Sequence, residues 1–128
     1  MESTKILLVD DEVEFVETLA ERIKIRGFDV RYTLNGEEAL ATMNHSVPDV
    51  MILDLKMPGL DGMEVLRRVK KHHPDVQVLI LTGHGSKQDE KEARHIGAFD
   101  YLQKPVDIGT LIKNIERACQ NRMDSASQ

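Results

Sequence analysis

The chain has 128 residues, and at about 150 residues per domain that length fits one compact domain; a hydrophobic content of 41% is enough to fill its core. Its longest apolar runs, such as Ile6–Val9 and Val78–Leu81, are four residues. That is far short of the roughly twenty needed to span a bilayer, and no signal-like stretch opens the chain. A net charge of −5, 4% aromatics and no Trp argue against a nucleic-acid surface, while the single Cys119 rules out an internal disulfide and suits a reducing cytoplasm.

Lys5–Val9 is a short branched apolar run that reads as a strand and ends in Asp10-Asp11-Glu12. From Val13 to about Arg26 the period turns helical, with Phe15, Val16, Leu19, Ala20 and Ile23 on one face and Gly27 as a stop. Asp29–Leu34 reads as a strand, then Asn35 caps a short helix, Gly36–Met43, whose buried stripe is Ala39, Leu40 and Met43. Pro48 opens a strand at Val50–Asp54, and a loop with Pro58 and Gly59 follows over Leu55–Asp61. Met63–His72 is helical with Val65, Leu66 and Val69 inward and Pro74 just beyond. Val76–Thr82 is a continuous apolar strand broken by Gly83 and Gly85. Ser86 caps a charged helix running to about Ile96 and closed by Gly97. Asp100–Gln103 is a short strand before Pro105. Asp107 caps a last helix with Ile108, Leu111, Ile112, Ile115 and Ala118 on its inner face. The core spans about residues 5–120, with a polar tail at 123–128 of which Asp124–Gln128 is polar enough to fray.

Five strands thus alternate with five helices. Val50–Leu53 and Val76–Leu81 are apolar at nearly every position, which means burial on both sheet faces and therefore a parallel sheet covered by crossover helices. The right-handed crossover rule leaves a doubly wound α/β sandwich as the simplest arrangement.

In such sheets ligands bind outside the carboxyl ends of the strands. There the sequence places Asp10 and Asp11 after the first strand, Asp54 after the third, Thr82 after the fourth and Lys104 after the fifth. Gathered carboxylates repel, and a divalent cation removes the conflict. An oxygen-only donor set favours a hard ion, Mg²⁺. Carboxylates beside a lysine and a hydroxyl suit phosphoryl transfer, with Asp54 as a nucleophile that forms an aspartyl phosphate and Lys104 and Thr82 on the incoming oxygens.

Four motifs then carry a resemblance: Ile6-Leu7-Leu8-Val9-Asp10-Asp11-Glu12, Asp54 through Gly62 (DLKMPGLDG), Leu81-Thr82-Gly83, and Tyr101-Leu102-Gln103-Lys104-Pro105. In that order, and on those elements, they resemble the receiver domains of two-component response regulators, the CheY-like family. The resemblance covers Lys5 to about Cys119. It implies the strand order 2-1-3-4-5. It implies that Asp54 is the phosphoacceptor and that Asp11 and Asp54 bind Mg²⁺ directly. Asp10 would act through water, and Lys56 would lend its backbone carbonyl. It further implies that Thr82 and Lys104 follow the phosphoryl group, that the Lys104–Pro105 bond is cis, and that Tyr101 turns inward when Thr82 moves. The implied donor is a sensor histidine kinase or a phosphotransfer protein. The output is a protein met by the fourth helix, fifth strand and fifth helix, with the chain a monomer or a phosphorylation-dependent dimer. On this reading the chain is a switch that assists its own phosphorylation and dephosphorylation, and is no metabolic enzyme.

Plainer readings stand beside these. Asp10-Asp11-Glu12 also suits the dipole at a helix N-terminus, and His72-His73 the dipole at a C-terminus. Lys87–Arg94 mixes signs as a solvated face does. His84 overhangs the site or is an exposed loop imidazole; Cys119 is a small helix residue. A haloacid-dehalogenase-type phosphatase would want an Asp-x-Asp pair and a cap domain, for which no residues are left. A flavodoxin-type carrier would have its phosphate repelled by Asp10-Asp11. Within the family, the chain is a stand-alone regulator or a receiver excised from a longer DNA-binding transcription regulator; the few residues after the last helix hold no DNA-binding helix pair.

Overall fold

A computed structural model describes residues 3–126. Its elements are β1 (Lys5–Val9), α1 (Val13–Ile25), β2 (Asp29–Thr33), α2 (Gly36–Met43), β3 (Val50–Leu53), α3 (Gly62–His72), β4 (Gln77–Thr82), α4 (Lys87–Ile96), β5 (Asp100–Gln103) and α5 (Ile108–Ala126). All strand pairs are parallel, and the order is β2-β1-β3-β4-β5.

The alternation of side chains along a strand builds two cores. Ile6 and Leu8 of β1, with Val50 and Ile52 of β3 and Leu79 and Leu81 of β4, meet Val16, Leu19 and Ile23 of α1 and Leu111, Ile115 and Ala118 of α5. The intervening residues, Leu7, Val9, Met51, Leu53, Val78 and Ile80, face the other way, onto Ala39 and Met43 of α2, Val65, Leu66 and Val69 of α3 and Ala93 of α4. Every residue of β3 and β4 is therefore buried, including the polar Gln77 and Thr82 that bound the apolar run of β4. A buried Leu or Ile of this kind contributes roughly 1.5–3 kcal/mol, so the central strands carry a large share of the packing energy.

Helix starts follow their caps. The Asn35 side chain accepts from the Glu38 N–H and Asp61 from that of Met63. Ser86 and Asp89 form a reciprocal capping box on α4, a motif that stabilises a helix by about 1 kcal/mol. The Asp107 carboxylate accepts from the Thr110 N–H at 3.0 Å. Gly97, at φ +128°, closes α4 in a conformation that disfavours other residues.

Boundaries shift by a residue at several ends: β3 stops at Leu53, leaving Asp54 just past the ladder, β2 stops at Thr33 and α3 begins at Gly62. The larger difference is the tail. Residues 123–126, expected in a polar tail, continue α5. Gly109 is the last glycine and no proline follows it, and Gln120 donates to Asp124 at 3.0 Å in an i,i+4 pair that polar helix faces favour. The last two residues of that tail, 127–128, lie outside the described residues, as do Met1 and Glu2. Among the described residues, no helix is long and apolar enough to cross a membrane.

Candidate functional site

Parallel strands end together, so the residues at and just beyond the ends of β1, β3, β4 and β5 share one rim. Asp10, Asp54 and Thr82 are buried there. Lys104 follows β5 with its side chain only 12% exposed, and the Lys104–Pro105 bond is cis. Its ammonium donates to Asp10 Oδ2 at 2.7 Å, to Glu12 Oε1 at 2.7 Å and to Asp54 Oδ2 at 3.4 Å. Beneath it lies the Phe15 ring, 4.3 Å from Nζ to centroid, a favourable cation–π contact. The other oxygens of the two buried carboxylates cap backbone: Asp10 Oδ1 accepts from Glu12 N–H at 2.9 Å, Asp54 Oδ1 from Lys56 N–H at 3.1 Å.

Three carboxylates therefore share one cation, and the titrations reflect it. Burial alone would push the Lys104 ammonium toward neutrality, but hydrogen bonds to Asp10 and Glu12 outweigh it and hold its pKa above the ordinary lysine value. For Asp10 burial wins and lifts the carboxyl, although Lys104 and the Glu12 N–H pull it down. The two results agree once the sharing is counted: the lysine has several partners, while each acid has a fraction of one lysine. Glu12, largely exposed, is lowered by its hydrogen bond to Lys104.

The acidic oxygens of Asp10, Glu12 and Asp54 lie within 4.8 Å of one another, a group able to hold a metal ion. Asp11, expected to bind the metal directly, is not in that group; Glu12 is. Side chains leaving an extended strand alternate, so with Asp10 turned onto Lys104 it is Glu12, two residues on, that returns to the same side. Glu12 as a lysine partner and Phe15 as its aromatic floor were not singled out from sequence. The spacing of Glu12 from Asp10 is the signal that would have found it.

Thr82 accepts weakly from the His84 N–H, at 3.5 Å, and its carbonyl receives the Lys104 N–H at 3.0 Å. His84 itself is exposed. Lys56 points its ammonium outward, 3.6 Å from Asp89 on α4. His72 and His73 close α3, away from the rim. Tyr101 is already inside, buried in the core beneath α4. Burial, followed by the nearby charges of Asp89, Glu90 and Asp54, raises its phenol pKa.

Residues 6–116 match the model of the response regulator receiver domain. The chain belongs to that family. The receiver domain is 36% identical over 113 residues to the DNA-binding transcriptional regulator NtrC of Salmonella typhimurium; the match covers 88% of this chain and 24% of that protein, so the chain spans about a quarter of that relative's length. Among solved structures it is similar to a response regulator receiver domain protein from Clostridium thermocellum, with 37% identity, TM-score 0.89 and coverage of 94% and 97% of the two chains. A CheY-like receiver domain protein of Methanospirillum hungatei superposes with TM-score 0.94 over 97% and 99% of the two chains, at 23% identity, a likeness of fold. Receiver domains of response regulators are signalling domains that work with histidine kinases and output domains.

Proposed function

We propose that this receiver domain accepts a phosphoryl group on Asp54 and transmits its arrival through Lys104, Thr82 and Tyr101. The observation that carries the reading is the placement of Lys104: a cation held over a buried Asp54 chiefly by two other carboxylates, and so free to exchange a partner. A carboxylate oxygen of Asp54 attacks the phosphorus of a phosphohistidine on a kinase or phosphotransfer protein. The new O–P bond replaces the donor's N–P bond, and the proton needed by the departing imidazole comes from solvent. Lys104 trades Glu12 for a phosphoryl oxygen, and the Thr82 hydroxyl donates to another.

The acids gathered at the rim, Asp10, Glu12 and Asp54, offer carboxylate oxygens with neither His nor Cys among them, which suits a hard dication. Asp10, Asp11 and Asp54, with the Lys56 carbonyl, are the residues proposed to hold Mg²⁺. When bound, the ion supplies the positive charge that lets an anion approach so acidic a rim. Glu12 serves Lys104 instead.

The added charge, roughly −1.5 to −2, exceeds what one neutral hydrogen bond can sense, so several groups must follow it. The signal leaves by the α4–β5–α5 face, to an output domain of the same chain or to a separate protein, in the cytoplasm. The domain assists its own phosphorylation and dephosphorylation and turns over no metabolite. Incubation with acetyl phosphate and Mg²⁺ should add one phosphoryl mass, read by intact mass spectrometry, and Asp54→Asn should abolish it. Undiminished incorporation in that variant would overturn the assignment.

A further inference from the structure

We propose that Gly85 is the gate that admits Tyr101 to its inward position, acting as a positioning residue for the switch. This rests on the receiver reading for its purpose, but its evidence is steric. A Cβ built at Gly85 would overlap the Tyr101 hydroxyl outright; it would also lie 2.7 Å from Cζ of the same ring and 2.9 Å from Cγ2 of Thr82. Real Cβ atoms do not come so close. Glycine is not demanded here by backbone conformation, because the glycines at positive φ are Gly27, Gly59 and Gly97. Position 85 is a matter of space alone.

Which party would yield to an added methyl follows from the bonds that each makes. The Gly85 carbonyl accepts from Gln103 Nε2 at 3.3 Å, which ties the loop to β5. The next residue, Ser86, is one half of the capping box that starts α4. The Tyr101 hydroxyl, by contrast, is buried and has no hydrogen-bond partner among the described residues. Moving the loop breaks a hydrogen bond and threatens a cap; moving the ring gives up its packing but no hydrogen bond, and returns an unsatisfied phenol to water. The ring leaves.

The consequence is that the inward pose is open to this chain because residue 85 has no side chain. The contact joins two parts of the proposed relay, since Gly85 lies against both Thr82 and Tyr101. A side chain at 85 would hold Tyr101 outside whatever Thr82 does.

The test uses the full unphosphorylated chain labelled with 3-fluorotyrosine. Its two tyrosines give two ¹⁹F resonances, with exposed Tyr32 as the internal reference. A soluble gadolinium chelate should broaden Tyr32 and spare Tyr101 in the parent, and broaden both in Gly85→Ala. Urea unfolding of Gly85→Ala, Tyr101→Leu and the double variant gives the second reading. The alanine should raise the unfolding constant at least about tenfold in the parent background, and less than about threefold beside Tyr101→Leu, because neighbours in contact are not additive. If Gly85→Ala alone does not fold, recovery of folding in the double variant supports the gate. A protected Tyr101 in Gly85→Ala, or an equal or unrelieved penalty beside Tyr101→Leu, overturns it. Both readings are independent of phosphorylation, so failure of Asp54 to accept a phosphoryl group would sink the receiver mechanism and leave this contact standing.

Discussion

The two ends of the sheet use the same chemistry to opposite effect. At the amino ends of the strands, Asp49 accepts from the Lys5 N–H at 2.9 Å and pairs with Arg122 at 3.4 Å. Its backbone joins in, the N–H to the Lys5 carbonyl at 2.8 Å and the carbonyl to the Gln77 N–H at 3.1 Å. Asn121 of α5 then donates to the Gln77 side chain at 2.7 Å. One acid, one cation and the main chain tie β1, β3, β4 and α5 together. At the carboxyl ends, three acids share Lys104. Balanced charge spent on the backbone is structure; unbalanced charge around a single shared cation is capacity for a reaction, held at some expense of stability.

Lys104→Met is the strongest way to break this contrast. Removing the shared cation leaves three carboxylates facing one another and should destabilise the fold by about 3 kcal/mol in the absence of metal. Added Mg²⁺ should recover most of that in a thermal melt, while phosphorylation by acetyl phosphate falls about 10²-fold with the lost charge stabilisation. A melt indifferent to Mg²⁺ would say that the acids are not metal ligands. The amino end should answer differently. Asp49→Ala should cost about 1–3 kcal/mol in urea unfolding, from an unsatisfied backbone N–H and an unpaired arginine, with the phosphorylation rate untouched; a slower rate would dissolve the division between the two ends.

Asp10→Asn carries the opposite sign. Because burial raises the Asp10 carboxyl above its unfolded value, the folded state binds the proton more readily. The contribution of Asp10 to the parent's stability should therefore grow as pH falls through that raised value, and stop growing near the unfolded carboxyl's pKa. The asparagine variant should lack this contribution and be the more stable of the two at pH 7. Equal pH slopes in parent and variant would count against it. The smallest effect belongs to Glu12→Gln. Its carboxylate is 62% exposed, so the pair with Lys104 is screened. Acetyl phosphate should react about two- to threefold faster with the lysine less encumbered, and Mg²⁺ affinity should hold while Asp11→Asn weakens it. Loss of Mg²⁺ binding in the glutamine variant would make Glu12 the ligand in place of Asp11.

How much of this was legible beforehand follows from the range of the forces involved. β3 and β4 were readable because full burial leaves an uninterrupted apolar signature, and the helix starts because Asn35, Ser86 and Asp107 carry local capping chemistry. The rim followed from topology, since parallel strands must present their last residues together. Glu12 and Phe15 were less visible. Their partner is some ninety residues away in sequence, and periodicity reports a face without saying what lies against it. The far end of α5 departs from the polar, fraying tail expected there because a surface helix is polar on its outer side by construction. Gly85 looked like a strand breaker; only tertiary packing shows the ring above it.

Lys56 stands two residues beyond Asp54, and its ammonium lies near Asp89, the same carboxylate that completes the cap of α4. The first turn of that helix therefore sits within the electrostatic reach of the rim although no α4 side chain enters it. Lys56 is half exposed, and in a Debye length of about 8 Å such a tether slackens as ionic strength rises. The domain thus carries two lines from the rim to α4, one through charge that dissolved salt attenuates and one through the fit of a ring over a glycine, which salt does not touch.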